Sequence, residues 1–119
     1  MKALRLLIVD DEATLLDLLR RYLERSGYEV ETCADAGEAL RRFEAGPERF
    51  AMVITDLTLH GINGEELIER MRKLNPRLRA LISSGYPYEP RPGVGFLQKP
   101  FLPKMLAEAV DKELQKRGR

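Results

Sequence analysis

LLIVDDEA, residues 6–13, runs four apolar side chains directly into three acids. The apolar half reads as a buried strand, and a buried strand does not ordinarily end in a cluster of like charge. Two carboxylates about 4 Å apart repel by roughly 4 kcal/mol at an effective dielectric near 20. The stretch therefore predicts something positive at the end of its strand. Because the strand has no polar face and is followed by a helical pattern, it also predicts a sheet covered on both sides.

Outward from this stretch the same alternation continues. The first strand is read over 4–9 and the first helix over 14–25, where Leu15, Leu18, Leu19, Tyr22 and Leu23 recur at helical spacing and Ser26-Gly27 supplies a stop. Residues 28–33 alternate like a strand nearer an edge. Asp35 then caps a helix, with Glu38 three residues on completing a capping box, and the helix stops at Gly46-Pro47. Residues 50–55 form a continuous apolar run of the central parallel kind, ending on Asp56. A third helix spans 65–74, acidic in its first turn and basic near its end as the helix dipole favours, and Asn75-Pro76 ends it. Strands four and five are read over 78–83 and 94–98. Pro103 opens a final helix whose apolar side carries Leu102, Met105, Leu106, Ala109, Val110 and Leu114. The terminal DKELQKRGR reads as a solvated helix end with a frayed tail.

GYPYEPRPG, residues 85–93, breaks the pattern: three prolines and two glycines stand where the alternation requires a crossover helix. Nine helical residues cover about 14 Å, whereas nine in polyproline geometry cover about 28 Å, enough to return along a strand of ~17 Å and turn. A fourth helix is therefore expected to be shortened or absent.

Composition sets the limits. At 119 residues and 44% hydrophobic, the chain suits one domain over 1–119. A net charge of +1 with mixed signs gives no basic stripe for nucleic acid. The apolar runs fall short of the ~20 residues of a membrane span, and Met1-Lys2 leads into a strand-like segment and not a signal peptide, so a cytoplasmic protein is expected. Cys33 is the only cysteine, which excludes an internal disulfide or thiolate cluster and leaves a buried bystander.

In open α/β sheets, ligands bind beyond the carboxyl ends of the strands, at the point where strand order reverses. In the doubly wound order 2-1-3-4-5, strands one and three are neighbours there, so Asp10, Asp11 and Asp56 converge. A hard divalent cation relieves their repulsion, and an all-oxygen site with room for water suits Mg²⁺. Ser84 after strand four and Lys99 after strand five bring a hydroxyl and an ammonium to the same end. Together they make a receptacle for a phosphoryl group, with Asp56 as nucleophile. Ser83 is the alternative hydroxyl, since neighbouring strand residues face opposite ways.

VDDE, ITDLTLHGINGEEL, LISSGY and FLQKPF occur in this order at these strand ends, and the set resembles the receiver domains of two-component response regulators over essentially the whole chain. The wording around SGYPYEPRPGVGFLQKPF is similar to receivers of hybrid sensor kinases. The resemblance implies a flavodoxin-like, five-stranded parallel sheet of order 2-1-3-4-5. It also implies phosphorylation at Asp56, direct Mg²⁺ ligation by Asp11 and Asp56, a largely water-mediated role for Asp10, and a further ligand in the Thr58 backbone carbonyl. Gly64 stands at the turn into the third helix, and Ser84 and Phe96 stand at the switch positions. His60 occupies a loop position where relatives commonly carry proline and is read as an exposed loop residue.

The function so implied is a phosphoacceptor switch that assists its own phosphorylation and dephosphorylation without being an enzyme. Its partners would be a histidine kinase or histidine phosphotransfer domain, and a second copy through the face formed by strand 4, strand 5 and the last helix. Three other classes compete. An aspartyl phosphohydrolase would carry its nucleophile on strand one and need a cap domain. A flavodoxin-like electron carrier would not place DDEA in its phosphate loop. A phosphorylation-independent interaction domain would have no need of acids, hydroxyl and lysine together.

Overall fold

The computed structural model describes residues 3–116. Met1, Lys2 and residues 117–119 lie outside it, and with them the start of the chain and the tail expected to fray.

Runs buried on both faces become the central strands, and partly exposed runs become the edges. The elements are β1 (Arg5–Val9), α1 (Ala13–Arg25), β2 (Glu29–Cys33), α2 (Ala36–Glu44), β3 (Met52–Asp56), α3 (Gly64–Leu74), β4 (Arg79–Ser84), β5 (Gly95–Gln98) and α4 (Pro103–Gln115), with a short 3-10 turn at Pro47–Arg49. All strand pairs are parallel and the order is β2-β1-β3-β4-β5, the doubly wound sheet expected. Leu7, Val9, Val53, Ala80 and Ile82 point to one face and meet Ala39, Phe43, Leu67, Ile68 and Met71 of α2 and α3. Leu6, Ile8, Met52, Ile54 and Leu81 point to the other and meet Leu16, Leu19, Leu23, Leu106 and Val110 of α1 and α4. Each of the larger side chains fully buried in this way, the Leu, Ile, Val, Phe and Met residues, contributes about 1.5–3 kcal/mol, and that is what holds the strand ends in register.

Local signals place the helices. Asp35 accepts the Glu38 N–H at 2.8 Å, as its capping role requires. Asn63 does the same for Glu66 at 2.9 Å, a cap that sequence reading did not single out. After α1, Gly27 takes φ +101°, a conformation that favours glycine and turns the chain into β2. The exposed edge β2 is blunted by charge: Arg5 pairs with Glu29 and Glu31, and Arg42 and Arg49 also reach Glu31.

Between β4 and β5 the described chain forms no helix over 85–94. It runs as a strap along α3, with Arg72 Nη2 donating to Gly93 O at 2.9 Å. No helix among the described residues is long and apolar enough to cross a membrane.

Candidate functional site

Register places four strand ends level with one another. Val9 pairs with Thr55, Asp56 with Ser83, and Ser84 with Gln98. The chain continues this alignment past the strands, with Leu57 N–H donating to Ser83 O and Lys99 N–H to Ser84 O, both at 2.8 Å. Whatever follows each strand is thereby delivered to one place.

Asp10, Asp11 and Asp56 each bring a carboxylate oxygen within 4.8 Å of the others. Asp10 is buried, Asp11 exposed and Asp56 half-buried. The positive partner expected for LLIVDDEA is present: Lys99 Nζ lies 2.8 Å from Asp10 and 3.3 Å from Asp56. Glu12, which sequence reading did not include, takes the same ammonium at 3.3 Å. Its only sequence signal was being the third acid of DDE.

Asp10 also accepts the Glu12 N–H at 2.9 Å, so it closes the turn into α1, while Glu12 at the N-cap makes no side-chain cap bond. Burial holds the Asp56 carboxyl above its ordinary value; the Asp10 charge adds to this, and the Lys99 charge and the Thr58 N–H work against it. Burial acts to lower the Lys99 ammonium, but its bond to Asp10 and the charges of Asp10 and Asp56 outweigh that and hold it above the usual lysine range.

Gly64 is needed here for space. Its N–H donates to Leu57 O at 2.8 Å, and a Cβ at this position would lie 2.5 Å from the Asp56 carbonyl oxygen. The α3 start is therefore pressed directly against the end of β3.

Ser83 and Ser84 are both buried, and Ser84 Oγ accepts the Tyr86 N–H at 3.0 Å. Thr58 is exposed in the loop after Asp56, as is His60. Phe96 pairs with Ile82 in the sheet, and its ring centroid lies 6.0 Å from that of Tyr88. Cys33 is buried and its thiol is pushed up to about 11, chiefly by burial, which leaves it unreactive near neutral pH.

Asp10, Glu12 and Asp56 share one ammonium, and Asp11 adds a further carboxylate beside Asp10 and Asp56, an excess of negative charge carried by oxygen donors. Such a cluster can hold a metal ion, and a hard one by its donor chemistry.

The response regulator receiver domain family matches residues 6–111. Regulatory protein VanRB of Enterococcus faecalis is 30% identical over 98% of this chain and 54% of its own length. Sensor kinase CckA of Brucella abortus is 31% identical over 93% of the chain and 12% of its own length. The chain thus spans about half or less of the curated relatives it matches. Among solved structures, the receiver domain of hybrid histidine kinase CckA is 36% identical with a TM-score of 0.85, covering 93% of this chain and 99% of that one. A CheY-like receiver from Methanospirillum hungatei is 34% identical, also at 0.85, covering 95% and 94%.

Proposed function

Since the chain belongs to the response regulator receiver domain family, we propose that residues 1–119 form one receiver whose Asp56 accepts a phosphoryl group from a phosphohistidine on a histidine kinase or phosphotransfer domain. The observation that carries this is the Lys99 ammonium bridging Asp10 and Asp56 within the three-carboxylate cluster.

An Asp56 carboxylate oxygen attacks phosphorus as the phosphorus–nitrogen bond of phosphohistidine breaks. The electron pair returns to the imidazole, and the product is an aspartyl phosphate. Lys99 holds Asp56 in position and is released toward the phosphoryl oxygens as charge moves onto them. The Ser84 hydroxyl donates a hydrogen bond to one of those oxygens, and Thr58 N–H orients the Asp56 carboxylate. Asp11 and Asp56, with Asp10 largely through water and the Thr58 carbonyl, would hold Mg²⁺. The ion supplies neutralisation of the negative charge that gathers around phosphorus. Water attack on the aspartyl phosphate resets the site, so the chain assists both its own phosphorylation and its own dephosphorylation.

Exposed Tyr86, Leu102 and Met105 support docking of a second copy on the side formed by β4, β5 and α4. A cytoplasmic site of action goes with a soluble kinase domain as donor. Incubation with Mg²⁺ and acetyl phosphate should add one phosphoryl group to the intact mass. Asp56→Asn should remove that gain, and labelling that survives the substitution would sink the assignment. Sedimentation at several concentrations, with and without the label, tests the second copy.

A further inference from the structure

Residues 85–94 replace a helix, yet they are fastened at both ends. Tyr88 Oη donates to the Glu65 carboxylate, Arg91 pairs with Glu69 and lies 3.7 Å from Glu65, and Arg72 holds Gly93 O. The Tyr88 ring lies against Phe96. At the near end, Tyr86 N–H is held by Ser84 Oγ. Only Pro87, with its fixed φ, separates Tyr86 from Tyr88. Glu65 follows Gly64, which is pressed against Asp56.

We propose that the Tyr88–Glu65 hydrogen bond is a latch that the phosphorylated state opens, so that the strap, and not a displaced helix, carries the signal to the surface. The inference rests on Asp56 as phosphoacceptor and Ser84 as the hydroxyl that turns to it. When Ser84 Oγ moves toward a phosphoryl oxygen, the Tyr86 N–H follows it or loses its acceptor. Pro87 leaves little slack, so the displacement reaches Tyr88. Of the two fastenings, the buried Ser84 end is the more confined. The Glu65 side chain is 23% exposed, and water can replace its bond to Tyr88. Once the bond opens, the Tyr88 ring leaves Phe96, and the groove of about 380 Å³ between α3 and the strap, floored by Ile68 and Val94, changes shape.

Hydrogen exchange over 85–94 in the full chain tests this, with and without Mg²⁺ and beryllofluoride as an unreactive stand-in for the phosphoryl group. In the unsubstituted protein the Tyr86 and Val94 amides, which donate to Ser84 Oγ and Arg91 O, should exchange about tenfold faster on addition, the loss of one charge-assisted hydrogen bond. Tyr88→Phe keeps the ring on Phe96 and removes the hydroxyl; Glu65→Gln weakens the acceptor. Both should exchange fast from the start and gain little further. Slow exchange in both variants, or an equal gain from beryllofluoride in all three proteins, overturns the latch. So does unchanged strap exchange in a protein whose Asp56 is labelled by acetyl phosphate, and the phosphoacceptor reading then stands. No label at Asp56 overturns that reading first, and the latch with it.

Discussion

Adding one methyl group at Gly64 probes how the site is held. Gly64 is not among the glycines with positive φ, so its contribution is room and not backbone freedom. A Cβ there would lie 2.5 Å from Asp56 O and 3.1 Å from Thr55 Cγ2. The first of these is backbone and cannot swing aside. Restoring a tolerable 3.0 Å separates the end of β3 from the start of α3 by about 0.5 Å. Overpacking on that scale costs about 1–3 kcal/mol. The gain of alanine over glycine in a helix, at most about 1 kcal/mol, is small at a first helical position. With roughly 3–6 °C per kcal/mol for a domain of this size, Gly64→Ala should lower Tm by about 3–18 °C. The same displacement moves Asp56 relative to Lys99 and Asp10, so labelling by acetyl phosphate should slow by about tenfold. Thermal melts and intact-mass time courses measure both. An unchanged or raised Tm with unaltered labelling would refute the argument that Gly64 sets the distance between strand and helix.

In Mg²⁺-free buffer at neutral pH, Asp11→Asn should stabilise by about 1 kcal/mol, because it removes repulsion from Asp10 and Asp56 and gives up no recorded ion pair. Asp10→Asn removes the same kind of repulsion but also gives up the Lys99 pair, so it should gain less or lose stability; equal effects in urea titrations would contradict this division. Asp11→Ala should nevertheless weaken Mg²⁺ binding more than Asp10→Ala, as calorimetric titration can rank. The folded Asp56 carboxyl is held above its unfolded value of 3.8, so ionising it opposes folding: the penalty is absent below 3.8, grows as pH rises through the folded value, and is complete above it. Asp56→Asn should therefore stabilise the Mg²⁺-free protein at pH 7 and lose that advantage on acidification, and a gain independent of pH would count against the desolvation argument. Ser84→Ala should abolish the strap's response to beryllofluoride, whereas Ser83→Ala should leave it, and the reverse result would exchange their roles.

The element order was legible because the apolar code is local. Leu6 to Val9 are 0–1% exposed, and no other structure accommodates four such residues in a row between polar neighbours so readily as a strand buried on both faces. The absent fourth helix was legible for a similar reason, since Pro87, Pro90 and Pro92 act on their own backbone. Strand order was not: which strands become neighbours depends on how each crossover turns, and it entered through resemblance to receivers. Asn63 was missed as a cap because Asn-Gly is equally a turn signal. Glu12 was missed because its partner lies 87 residues away. Tyr88 and Glu65 were missed likewise, since nothing in GYPYEPRPG says which helix the strap will lie on.

The charge balance of the site explains why the strap should be the part that yields. At an effective dielectric near 20, Lys99 attracts Asp10 at 2.8 Å by about 6 kcal/mol and Asp56 at 3.3 Å by about 5 kcal/mol. Each pair among the three aspartates, with oxygens within 4.8 Å, repels by about 3.5 kcal/mol or more. Glu12 takes the same ammonium at 3.3 Å, so the lysine's attraction is already committed before any phosphoryl group arrives. A phosphoryl group brings further negative charge, which must be met by a cation, by Lys99 turning from Asp10, and by a new donor. In the proposed mechanism that donor is Ser84, within the same row of strand ends. The sheet cannot shift to deliver it, because side chains from four helices are packed against its two faces. The strap, in contrast, packs Tyr88 and Val94 against the core and is otherwise tied down by polar contacts whose groups water can satisfy when they open. Movement of Ser84 is therefore relieved where the structure is held by exchangeable bonds, at Tyr86 and Tyr88, and the apolar core keeps the acids in place while it happens.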